Sequence, residues 1–216
     1  MMSRRLLIAA LVPLALGTPV ATHAAQVQAA VTSPADQAEI ARIQAYLNGL
    51  RTLKAHFVQV APNGAISQGT TWLERPGRMR FQYDPPSPLL LVAGHGLVVF
   101  YDASLGQTSN IPLGMTPLGI LLTDHISLSG DVTVTGLNRL PGEIELTLVR
   151  TARPTEGGLT LVFTDNPLTL RQWTVTDAQS QRTTVTLTNI ELGGTFDQSL
   201  FEFVDPRFFQ GSHGNG

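Results

Sequence analysis

Two hydrophobic periods divide the chain. Apolar residues fall at Ile40, Ile43, Leu47, Leu50 and Leu53, spaced by 3, 4, 3 and 3. That stripe predicts an amphipathic helix of about 18 residues. Its start is marked by Ser33 as N-cap, Pro34 in the first helical position and Asp36 in the first turn, where a carboxylate suits the helix dipole. From His56 the period falls to two, and strands are predicted over 56–60, 65–74, 78–83, 89–93 and 97–102. Turn residues separate them: Pro62-Asn63-Gly64, Arg75-Pro76-Gly77, the stretch 84–88 and Gly94-His95-Gly96. A short helical interlude at 115–122 is apolar almost all round, with Thr116 as N-cap and Pro117 after it. Strands then resume over 132–137, 143–150, 159–164, 170–177 and 182–190, and a last strand is expected at Phe201-Glu202-Phe203-Val204.

The strands are one-sided. In 78–83, Met79, Phe81 and Tyr83 alternate with Arg78, Arg80 and Gln82, and Val185 and Leu187 stand among threonines in 182–190. Such a sheet buries one face and wets the other. Roughly ten strands do not stay flat, so the sheet is expected to curl. The fold class is therefore mainly β (α+β), a curved antiparallel meander. With so little helix to cover its concave face, an apolar cavity roofed by two short helices is expected.

Composition narrows the function. The 216 residues carry 14 Lys+Arg against 16 Asp+Glu, a charged fraction of 14% beside 43% hydrophobic residues, which excludes intrinsic disorder. The formal charge of −2, with Lys54 as the single lysine, argues against nucleic acid. There is no cysteine, so thiol catalysis, disulfides and Cys-ligated metals are excluded. Arg4-Arg5, the apolar run 6–16 and Thr22-His23-Ala24 read as a Sec-type signal peptide over 1–24. A flexible leader (25–33), one domain (34–205) and a flexible tail (206–216) are expected to follow. Without a cysteine at the cleavage site the product is expected to be a soluble, unlipidated, exported monomer. His56, His95, His125 and His213 show no metal-ligand spacing, and no metal or cofactor is expected. No Gly-x-Ser-x-Gly, phosphate loop or helical His pair is present, and Glu143 and Glu145 read as a solvated strand face, so no enzyme is expected.

The block Gly69-Thr70-Thr71-Trp72-Leu73-Glu74-Arg75-Pro76-Gly77-Arg78-Met79-Arg80-Phe81, followed by Pro86, Leu90-Leu91-Val92 and Val99-Phe100-Tyr101-Asp102, resembles the LolA family of periplasmic lipoprotein carriers. Thr116-Pro117-Leu118 and Phe201-Glu202-Phe203 fit the same pattern, and the resemblance runs from about Ile40 to Val204. It implies an eleven-stranded, unclosed antiparallel half-barrel with helices as a lid. It also implies a periplasmic carrier that takes acylated lipoproteins from an inner-membrane ABC transporter to an outer-membrane receptor or to the outer membrane itself. By the same resemblance Arg75 bonds backbone carbonyls of the lid and holds the empty carrier shut. The expected cavity lining is Ile43, Leu47, Leu50, Trp72, Met79, Phe81, Tyr83, Leu91, Phe100, Leu118, Leu121 and Leu122.

Three points stay open in the sequence. Met79 stands where family members carry an aromatic residue, and suits a malleable wall. The proline-rich stretch 85–90 resembles a loop of the related receptor LolB, where an apolar residue inserts lipids; Leu89 fits that part or, more simply, starts a strand. For Trp72, Phe81, Tyr83 and Phe100, strand register decides between cavity wall and outer packing. An RseB-like lipid-sensing module and a combined carrier and receptor are the alternative functions, the former usually carrying a second domain.

Overall fold

Ser33 opens the structure as predicted: its hydroxyl accepts the Asp36 N–H at 3.1 Å and caps a 16-residue helix, α1 (Pro34–Gly49). The structure is a computed structural model and describes residues 33–205; the expected signal peptide, most of the leader and the tail lie outside the described residues. The helix ends sooner than its stripe suggests. Leu50 is the extended C-cap, and Leu53 belongs to β1 (Thr52–Val60), where it stays buried.

The chain continues through β2 (Ile66–Glu74), β3 (Arg78–Tyr83), β4 (Leu89–Gly94), β5 (Leu97–Asp102) and β6 (Gln107–Pro112). Two short 3-10 turns follow, η1 (Leu113–Met115) and η2 (Pro117–Leu122). Then come β7 (Val132–Leu140), β8 (Glu143–Arg150), η3 (Pro154–Glu156), β9 (Gly157–Thr164), β10 (Thr169–Asp177), β11 (Arg182–Leu192) and η4 (Gln198–Phe201). All eleven strands form one unclosed sheet in the order β6-β5-β4-β3-β2-β1-β11-β10-β9-β8-β7, every pairing antiparallel. This is the half-barrel expected.

The two edge strands, β6 and β7, are neighbours in sequence. The connector 113–131 therefore has to pass from one open edge to the other, and it carries η1 and η2 with it.

Two strand assignments need correction. β6 was not anticipated, because Gln107–Pro112 is polar and almost wholly exposed, so an edge strand there shows no alternation. Conversely, the strand expected at 201–204 does not form. Phe201 ends η4 and is buried on the outer face, its carbonyl lying where a Cβ on Gly94 would come within 2.5 Å. Phe203 stacks at 5.4 Å on Tyr101, and Arg80 Nη1 donates to the Leu200 carbonyl at 3.1 Å. Aromatic alternation here reflects packing onto a sheet, not pairing within it. β4 begins at Leu89, which packs half-buried against the core, so the strand-start reading of that residue holds.

The inner face, with α1 and η2 upon it, forms a single apolar core. At its centre Phe57 meets Phe81 edge-on at 4.8 Å and Tyr83 at 5.2 Å, and Phe81 meets Trp173 at 6.0 Å. Trp72, by contrast, alternates with buried Thr71 and Leu73 and points to the other face. Phe57→Ala is therefore expected to lower stability by about 3–5 kcal/mol. Trp72→Ala is expected to cost about 1 kcal/mol or less, the usual level for a change away from a packed core. Urea denaturation of both variants checks this, and similar losses would contradict the face assignment.

Candidate functional site

Arg75 is the first residue after β2, just before Pro76-Gly77, and its backbone N–H is pinned to the Arg51 carbonyl at 2.8 Å. The guanidinium then meets only backbone carbonyls. Nε donates to Thr123 at 2.9 Å, Nη2 to Asp124 at 2.9 Å, and Nη1 to Leu50 at 3.2 Å and to Leu47. The last turn of α1 holds no basic residue, and the Leu50 N–H that closes it is shared between the Tyr46 carbonyl at 3.1 Å and the Leu47 carbonyl at 3.3 Å. Arg75 supplies both the donors and the positive charge that a helix C-terminus favours. The same side chain takes the carbonyls just beyond η2. One cation thus bridges the two pieces of chain that cover the inner face. It is 5% exposed, and burial, reinforced by the nearby Arg51 charge and opposed by Asp124, holds its pKa below the usual arginine value.

Further bonds tie the connector to α1. Asn48 donates to the Ile126 carbonyl at 2.9 Å and accepts the Ile126 N–H at 2.9 Å, while Gln44 accepts the Leu128 N–H at 2.9 Å. The Gly77 N–H reaches the Leu122 carbonyl at 2.8 Å. Arg51 and Asp124 pair at 2.8 Å, but both are solvent-exposed, so this pair contributes little. η2 is capped as expected, the Thr116 hydroxyl accepting from the Gly119 N–H at 3.1 Å, and it turns Ile120, Leu121 and Leu122 into the core.

The residues expected to line a cavity converge, with one exception. Ile43, Leu47, Leu50, Met79, Phe81, Tyr83, Leu121 and Leu122 are buried in one cluster, and Leu91 and Leu118 pack half-buried against it. Phe100 shares their face, since it pairs with Leu91. Trp72 is the correction: it pairs with Lys54 and Arg80 on the outer face and does not belong to the set. The expected chamber is also different in kind. These side chains fill the inner space against each other, as Ile43 and Met79 at 0% exposure show. Recesses lie elsewhere, one of about 540 Å³ between β4–β6 and the C-terminal segment, and one of about 320 Å³ beside Leu50 at the end of α1.

Sequence reasoning missed Phe57 and Trp173, which alternation along β1 and β10 offered, and the amides Gln44 and Asn48, which on a helix read as surface. Asn48→Ala removes the acceptor and donor that hold Ile126. Amide exchange at Ile126 and Leu128 is expected to accelerate about 10–100-fold, the equivalent of about 1–3 kcal/mol of lost hydrogen bonding. Unchanged exchange there would show that the connector is held without Asn48.

The sequence profile of the outer membrane lipoprotein carrier protein LolA matches residues 48–204. An outer-membrane lipoprotein carrier protein of Methylococcus capsulatus is 30% identical over 184 residues, covering 81% of this chain and 87% of the relative. One from Azotobacter vinelandii is 28% identical over 188 residues, covering 80% and 86%. Among solved structures, a LolA superfamily protein of Nitrosomonas europaea superposes at a TM-score of 0.42 with 9% identity, over 76% of this chain and 97% of that one.

Proposed function

The chain belongs to the LolA family of outer membrane lipoprotein carriers, and we propose that it ferries acylated lipoproteins through the periplasm by lodging their acyl chains on its inner face. Cargo would come from the inner-membrane lipoprotein-releasing ABC transporter and pass to an outer-membrane receptor or to the outer membrane itself. The role is binding and transfer without covalent chemistry or cofactor. The observation that carries this reading is Arg75, bonded to four carbonyls from two separate lid pieces above an otherwise apolar core.

The physical need for a carrier is plain. Each methylene exposed to water costs about 0.8 kcal/mol, so three acyl chains of about 16 carbons cost on the order of 30–40 kcal/mol. No such cargo crosses an aqueous space unaided. The filled inner face is then the empty, closed form of the carrier. Loading parts α1 and η2 from the sheet and replaces side-chain contacts with acyl contacts, which cost little because the surfaces exchanged are alike. What resists opening is chiefly polar: charged hydrogen bonds of about 1.5–3 kcal/mol each, partly offset by the cost of burying the guanidinium.

Arg75→Leu removes these bonds and favours the open form. The variant is expected to take up lipoprotein from inner-membrane vesicles, accumulate loaded, and transfer poorly to outer-membrane acceptors. Arg75→Lys falls between, because a point charge cannot span four carbonyls. A two-step transfer assay measures both halves. Normal release by Arg75→Leu would sink the latch, and a defect confined to uptake would place Arg75 in docking to the donor.

A further inference from the structure

A second arginine stands where the apolar pattern has no place for one. Along β8 the inward row is Ile144, Leu146 and Leu148, all buried, and Arg150 is the next member of that row. Its strand partner is the buried Val132 of β7. Nη2 donates to the Thr116 carbonyl at 3.3 Å, a long bond, and lies 3.1 Å from where a Cβ on Gly119 would stand. That end of the guanidinium thus lies against the start of η2. Its Nε is buried with no acceptor. Among the described residues no carboxylate lies within ion-pairing distance of it, whereas neighbouring Arg153 pairs with Glu156 at 3.1 Å.

The contrast with Arg75 is informative. One guanidinium is saturated by the protein's own carbonyls; the other has a buried donor left over. A buried N–H without a partner costs about 1–3 kcal/mol, so it is a standing demand for an oxygen acceptor. Two small recesses flank the side chain, both lined by Ile120 and Arg150; Met115 and Pro117 add apolar surface to one, and Ile126 and Val132 stand among polar side chains in the other. Asp131 lines one recess and Glu156 the other. Those carboxylates oppose an anion but leave a neutral oxygen unhindered.

We propose that Arg150 is a ligand-binding residue that receives a neutral ester or amide carbonyl of an acylated ligand, whose chain then runs along Leu148 and Leu146. The proposal rests on the carrier reading above. It assigns the two arginines different tasks, Arg75 to closure and Arg150 to the polar junction of the cargo.

The test uses the full exported chain and three probes: diphenylhexatriene, which is a pure hydrocarbon; a diacylglycerol, which adds ester carbonyls; and phosphatidic acid of the same chains, which adds an anion. Arg150→Met keeps apolar bulk and removes every donor. It is expected to weaken diacylglycerol binding about 10-fold or more while changing diphenylhexatriene binding by no more than about 2-fold. Arg150→Lys, which keeps the charge, is expected to recover part of the loss and serves if Arg150→Met fails to fold. Equal weakening of both probes would reduce Arg150 to a packing residue, and no change in either would remove it from the site. An Arg150-dependent preference for phosphatidic acid over diacylglycerol would overturn the neutral carbonyl in favour of an anionic headgroup. Failure of the unaltered chain to bind diphenylhexatriene would overturn the carrier reading itself.

Discussion

A guanidinium buried among carbonyls, with no carboxylate bonded to it, holds this half-barrel together. Taking the cation of Arg75 out of water costs several kcal/mol, and only a full set of bonds offsets that. The four carbonyls come from the end of α1 and from the residues after η2; apart from Arg75, Leu47 and Asp124 each have only one long bond of 3.3 Å, from the Leu50 N–H and from Arg51. The topology makes the meeting necessary. α1 enters at β1 in the middle of the sheet, and the connector must cross between the outer edges β6 and β7, so the two covers share no strand and no turn. Asn48 and Gln44 reach from one to the other, and Arg75, which belongs to neither, bonds to both. Because burial of the cation costs the same whether or not every bond is made, a latch of the proposed kind would be worse partly broken than open, and its closure would act as a unit.

Much of this architecture was legible because it follows from local rules. β3, β5 and β8 match their predicted limits, where strict alternation is cut by Gly and Pro turns, and the start of α1 follows from Ser33 and Pro34. The failures have physical reasons too. Leu53 continues the helical spacing by coincidence, since a residue buried on β1 next to the helix end serves the same core. β6 is edge structure, held by a ladder on one side only, and so its residues carry no burial pattern. The segment 201–204 has the aromatic alternation of a strand because it lies on a sheet. Trp72 shows that an outer face described as wet can still carry a large aromatic side chain.

The site was harder to read than the fold. An arginine before Pro-Gly is ordinarily a surface residue, and Arg75 stood out only through a family resemblance. Its partners are 28 positions away at Leu47 and 48 away at Thr123, and backbone carbonyls have no signature in a sequence. The same holds for Asn48, whose amide matches the backbone N–H and C=O of one residue 78 positions on. What alternation did disclose was which side chains share the inner face. It did not disclose that the face is filled when empty of ligand, because packing density depends on how far α1 and η2 descend.

Under the proposed function, that filled core also gives a reason for closure to rest on polar bonds. If a lid were held by extra apolar contact, loading would have to re-expose that area, at roughly 25 cal/mol for each Å² left uncovered. Cargo that covers it again gains nothing, and cargo that covers it incompletely is penalised in proportion. Side chains such as Met79 and Leu121 are therefore neutral toward opening so long as acyl chains replace them. A carbonyl released by Arg75 behaves differently. It can pair with water once the lid lifts, so the cost of opening is set by a few bonds and not by the size of the cargo. In the proposed carrier, then, an apolar face supplies capacity, and a handful of polar contacts at its rim decide when it is open.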